Sequence, residues 1–148
     1  MTNQGLKMDA CYFSFSELVH TAKKIPNIPD WNQIQNLQQL RNFLNFVRKI
    51  FDRPIRVNSA FRSVALNEMV GGAETSAHLQ GLAADICAFS GTESDNRLLL
   101  KILEMMLPNI DQLISYHKVA GDCHSAIRFV HVGLKKYPEM PRAQRLYK

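Results

Sequence analysis

Residues 59–86 read SAFRSVALNEMVGGAETSAHLQGLAADI, and the later half of that run, from Ser76 through His78 and Gly81 to Asp85 and Ile86, decides how the chain is read. His78 falls in a loop, and Asp85 enters a strand seven residues later. Gly81 between them lets the backbone turn back on itself. Imidazole and carboxylate are both good zinc donors, and a third ligand must come from elsewhere. His131 is the natural candidate. In the strand Phe129-Val130-His131-Val132-Gly133 the side chains alternate, so Phe129, His131 and Gly133 share a face. A histidine alternating with valine on a core strand is costly unless its ring nitrogens are satisfied. Three protein ligands with one open position is the pattern of a catalytic zinc site. Spacing alone also fits a helix cap beside a surface histidine.

The elements around this stretch follow from periodicity. A helix is expected near residues 14–24, where Ser14 and Glu17 have capping-box spacing. IPNIPDW is a loop, because each proline removes a donor and restricts the residue before it. A second helix is expected over residues 36–52. Leu37, Leu40, Leu44, Val47 and Phe51 form its core stripe, widened by Phe43, Phe46 and Ile50. Strands are expected in PIRVNSAF, LAADICAF, QLISYH and RFVHVGL. A short helix SVALNEMV lies between the first two. A helix over residues 92–106 lies between the second and third, with Leu98, Leu99, Ile102, Leu103 and Met106 inward and Thr92 or Ser94 as its cap. Trp31 and Phe61 read as core, and His20 as an ordinary surface or boundary histidine. The result is an α+β domain with a small, mostly antiparallel sheet and helices packed against it. Residues 135–148, with two prolines and many charges, read as a loosely held tail.

Composition bounds the function. The 148 residues fit one domain, residues 1–148, with its core at about 12–134. No apolar run is long enough to span a membrane. The start, MTNQGLKMDACYF, lacks the charged n-region and apolar h-region of a secretory signal. Cytoplasmic synthesis without a signal peptide is therefore expected. The cysteines, Cys11, Cys87 and Cys123, are odd in number and form no CxxC pair, which argues against a disulfide framework and a thiolate zinc knuckle. The net charge of +5 favours an anionic partner, such as nucleic acid, an anionic membrane surface or cell-wall polymer. The basic residues are dispersed, and no basic helix is interleaved with aromatics, so no specific nucleic-acid binding is expected. A monomer is expected.

The run 59–86 closely resembles the M15 zinc peptidases, the D-alanyl-D-alanine carboxypeptidase and endolysin group, which shares its fold with the hedgehog signalling domain. The pattern S-x-H-x-x-G-x-A-x-D-I is matched at Ser76, His78, Gly81, Ala83, Asp85 and Ile86. Upstream, S-x-[YF]-R-S is matched at Ser59, Phe61, Arg62 and Ser63, followed by Asn67 and Gly71-Gly72. Downstream, D-Q-L-I falls at Asp111–Ile114, and the W-x-H-type ending falls at Phe129–Val132. The resemblance covers roughly residues 12–134 and implies a hedgehog/DD-peptidase-like fold with Zn2+ held by His78, Asp85 and His131.

It further implies a metallopeptidase cleaving peptidoglycan stem or cross-link peptides at a D-amino-acid-containing bond, as a phage or prophage lysin does, and acting on the bacterial cell wall if released. Arg62 matches the arginine that faces substrate. A guanidinium suits a peptide carboxylate or a developing oxyanion because it donates in a planar fork. A salt bridge is its alternative role. Ser76 would bind substrate or shape the loop. One position departs from the pattern. Relatives place a Glu or Asp near the end of the D-Q-L-I strand, or three residues before the last ligand, and here those positions are Tyr116 and Arg128. Hydrolysis needs a base that takes a proton from water and returns it to the leaving amine. Tyrosine is a poor base, with an intrinsic pKa of about 10. His117, Asp122 and His124 are the candidates left. His117 alternates with Tyr116, so only one of the two faces the metal. The alternative function is an impaired, zinc-containing peptidoglycan-binding domain.

Overall fold

In the computed structural model, which describes residues 11–148, five strands form one sheet in the order β1-β2-β4-β3-β5. They are β1 (Ile55–Ser59), β2 (Ala83–Ala88), β3 (Gln112–His117), β4 (Ile127–Gly133) and β5 (Gln144–Tyr147). All neighbouring pairs are antiparallel except β3 with β5. The helices are α1 (Phe15–Val19), α2 (Trp31–Phe51), α3 (Val64–Met69) and α4 (Glu93–Met105). The architecture is the expected α+β one. Most of the N-terminal stretch that lacks a secretory pattern, residues 1–10, lies outside the described residues.

Helix α2 starts at Trp31, five residues before the expected start at residue 36, because Asp30 and Gln33 close a capping box. The Asp30 carboxylate accepts from the Gln33 N–H at 2.8 Å, and the Gln33 side chain accepts from the Asp30 N–H at 2.8 Å. The stripe Leu37, Leu40, Leu44, Val47 and Phe51 is buried as expected. Phe46 and Ile50 do not widen it: they are 57% and 48% exposed, and only Phe43 packs against the core. Trp31 is a further correction, 71% exposed at the first turn of α2, where the chain has only begun to reach the core. Leu98 is also exposed, whereas Leu99, Ile102 and Leu103 point inward. Thr92 caps α4, accepting from the Asp95 N–H.

Helix α1 stops at Val19 instead of running on to residue 24. Long-range hydrogen bonds take the carbonyls that a continued helix would use. Leu18 accepts from the Phe61 N–H at 2.9 Å, and Val19 accepts from the Asn27 side chain at 2.9 Å. Phe61 is buried in the core.

The C-terminal segment is stapled, contrary to the expected loose tail. Arg142 donates from its guanidinium to both carboxylate oxygens of buried Asp111, at 3.0 and 2.8 Å. Gln39 on α2 donates to the Lys135 carbonyl at 2.7 Å. β5 then adds in parallel beside β3, pairing Gln112 with Gln144 and Ser115 with Tyr147.

Strand alternation divides the sheet into two faces. On β4, Val130 and Val132 enter the core, packed with Leu99 and Leu103 of α4. Phe129, His131 and Gly133 open onto the other face. Asp85 of β2 and Ile114 of β3 both pair with His131, so the three form one rung across the sheet.

Candidate metal centre

A cleft of about 960 Å³ lies over the face that carries this rung. Asp85 and His131 are placed by strand register, and His78 by a one-turn helix, Ala77–Gln80, that leans over the strands. Ser76 starts the turn by accepting from the His78 N–H at 3.3 Å. Gly81 ends it in the left-handed region at φ 73°. A Cβ on Gly81 would lie 2.9 Å from the Gln33 carbonyl oxygen, so this position needs glycine for both conformation and space. Two side chains of α2 hold the turn: Gln33 donates to the Leu79 carbonyl and Asn36 to the Gln80 carbonyl. The Arg62 N–H donates to the His78 carbonyl at 3.1 Å.

The three expected ligands converge. His78 Nε2 lies 3.3 Å, and His131 Nδ1 2.9 Å, from the same oxygen, Asp85 Oδ1. One ligand atom from each of the three residues lies within 4.8 Å of the others. The two imidazole rings meet edge to face at 5.1 Å. His78 Nδ1 sits 2.6 Å from the Ala60 carbonyl oxygen, which can only accept. In the neutral ring Nδ1 therefore carries the proton, and the Nε2 lone pair faces the carboxylate. Two acceptors aimed at one another call for a cation between them. An oriented imidazole with its far nitrogen bonded to a backbone carbonyl is the usual arrangement at zinc sites. The donor set fits Zn2+.

Asp85 is buried, which opposes its ionisation, but the two histidine rings beside it, His131 above all, outweigh burial and hold its pKa well below the usual carboxylate range. Its second oxygen, Oδ2, accepts from Arg62 at 3.1 Å, and Arg62 Nε donates to Ser59 Oγ at 3.0 Å. Arg62 is thus inside the site with its guanidinium held against Asp85, and it also lines the cleft. Ser76 lines the cleft as well.

Tyr116 lies on the cleft face of β3, stacked on Phe129 with ring centroids 4.5 Å apart. His117 points to the opposite face, as alternation requires. There it is buried, its ring nitrogens 2.8 Å from the Ser125 carbonyl and 2.8 Å from Ser115 Oγ. Asp122 and His124 sit on the exposed loop after β3, where Asp122 accepts from the His124 N–H. None of these three base candidates lines the cleft. His20 lines a separate cavity of about 540 Å³ between α1 and β1.

Sequence reasoning missed one wall of the cleft. The stapled C-terminal segment brings Lys135, Lys136, Glu139 and Arg142 to its rim. No local pattern announces this, because Asp111 and Arg142 are far apart in the chain.

The similarities to known proteins agree with this geometry. A stretch of 39 residues is 56% identical to the zinc D-Ala-D-Ala carboxypeptidase of Streptomyces albus G, covering 26% of this chain and 15% of that protein. The chain thus matches only a small part of the length of that relative. The family model described as Peptidase M15 matches residues 11–118, and the chain belongs to the peptidase M15 family.

Proposed function

We propose that this protein is a zinc-dependent peptidase that cuts peptidoglycan stem or cross-link peptides at a bond next to a D-amino acid, and serves as a phage or prophage lysin. The convergence of His78, Asp85 and His131 in an open cleft carries the reading. These residues would hold the metal. When bound, zinc acts as a Lewis acid that polarises a peptide carbonyl and makes water more acidic. The carboxypeptidase relative supports the substrate class, and the net charge of +5 suits an anionic wall polymer.

Within the cleft, Arg62 orients Asp85 through Oδ2 and presents its remaining N–H groups to a substrate carboxylate or developing oxyanion. Ser76 would position the peptide beside the turn that it caps. Asp122 or His124 would serve as the base only if the loop after β3 swings over the cleft.

The test is turnover. Zinc-loaded protein incubated with purified peptidoglycan is expected to release free amines or D-alanine, and chelation should stop the release. Zinc-loaded protein that binds peptidoglycan and releases nothing overturns the reading.

A second reading, an impaired zinc-containing peptidoglycan-binding domain, draws on the placement of His117, Asp122 and His124 outside the cleft lining. It is favoured if the wild type is inactive and Tyr116→Glu creates hydrolysis.

A further inference from the structure

We infer that the phenolic hydroxyl of Tyr116 donates a hydrogen bond to the reacting carbonyl oxygen of the peptide as that oxygen gains charge; this rests on the peptidase reading above. The position follows from the ladder. Tyr116 pairs with Phe129, and Ile114 pairs with His131 two residues along, so Tyr116 and His131 are diagonal neighbours on the cleft face. Diagonal neighbours lie roughly 7–8 Å apart between Cα atoms, within reach of an aromatic side chain. The stack on Phe129, with 16° between ring planes, holds the Tyr116 ring in place.

Its hydroxyl has no hydrogen-bond partner among the described residues. A tyrosine hydroxyl in a partly buried setting normally finds one, and in an open cleft beside three metal ligands the substrate supplies it. A tyrosine phenol has an intrinsic pKa of about 10. The group therefore stays protonated at neutral pH and acts as a donor. A donor fixed in advance where charge develops stabilises the transition state more than the ground state.

Binding tests this without requiring turnover. The probes are the dipeptide D-Ala-D-Ala and its phosphinate analogue, whose tetrahedral anionic oxygens stand in for the charged reacting oxygen. Each is titrated calorimetrically into zinc-loaded wild type and zinc-loaded Tyr116→Phe, with zinc content measured on both. Phenylalanine keeps the ring and its stack. The variant is expected to bind the phosphinate about tenfold or more weakly, the loss of one hydrogen bond to a charged group, and the dipeptide as the wild type does. Equal losses on both probes indicate a packing role and overturn the inference, as does no loss on either. Wild-type protein that binds neither probe overturns the peptidase reading and this inference together. Wild-type protein that hydrolyses nothing overturns the peptidase reading and the inference with it, whereas an active wild type with no selective loss in Tyr116→Phe overturns the inference alone.

Discussion

The guanidinium of Arg62 lies 3.1 Å from Asp85 Oδ2, on the far side of the carboxylate from the two histidines. On the proposed function, Arg62 would act on the metal centre through Asp85 as well as on substrate. Arg62→Lys keeps the charge but loses the fork that also reaches Ser59. Zinc affinity is expected to fall by about tenfold or more, as on loss of a partner that orients a metal ligand. The ratio kcat/KM should fall with it. Competition with a chelating dye and steady-state kinetics on a D-Ala-D-Ala substrate check both, and an unchanged zinc affinity would return Arg62 to substrate binding alone.

The protein is expected to hold one zinc per chain, and His78→Ala or His131→Ala to lose it. Elemental analysis after gel filtration decides this. Chelation should lower the Tm of the wild type, because a ligand bound only by the folded state stabilises it by mass action. Full zinc content in both variants would refute the ligand assignment.

Hydrogen bonds from Arg142 hold the Asp111 pKa below its ordinary value. A depressed carboxylate contributes stability that is present above its unfolded pKa of about 3.9 and is lost as pH falls through the folded value. The stability gap between wild type and Asp111→Asn, read from urea midpoints, should be constant from neutral pH down to about pH 5 and shrink below about pH 4. A gap independent of pH would mean that the Asp111–Arg142 pair does not help hold the C-terminal segment.

Gly81→Ala should be destabilising by roughly 1–3 kcal/mol, from its positive φ and its contact with the Gln33 carbonyl. Since the same turn carries His78, zinc affinity should fall too. Urea denaturation with and without chelator separates the two effects.

If the loop after β3 delivers a base, Asp122→Ala or His124→Ala removes turnover while zinc stays bound. Their place outside the cleft lining predicts instead that both variants keep turnover. His117→Ala is expected to be destabilising by roughly 2–4 kcal/mol, because it opens a buried site and strands the groups its ring now bridges. Thermal melts and amine release distinguish these outcomes.

The sequence by itself determined what depends on local pattern. The period of Leu37, Leu40, Leu44, Val47 and Phe51 marks the buried face of α2. The alternation around His131 assigns it to the face opposite Val130 and Val132. The same alternation separates Tyr116 from His117. The motif from Ser59 to Ile86 pointed to His78 and Asp85, and the ending at Phe129–Val132 to His131, the three residues that the structure brings together.

Only the tertiary structure decided what depends on partners far along the chain. Asn27 and Phe61 end α1 at Val19 by taking its last carbonyls, although the helical pattern runs on. Asp111 captures Arg142, so that the expected loose tail walls the cleft with residues 135–142 and then adds a parallel edge strand. The Ala60 carbonyl sets the tautomer of His78. The exposure of Trp31 and Phe46 likewise depends on how far the core extends over α2. A sequence window records the period of its own side chains. It does not record which distant donor claims a carbonyl or which distant cation reaches a carboxylate, because the folded chain alone brings those groups into contact.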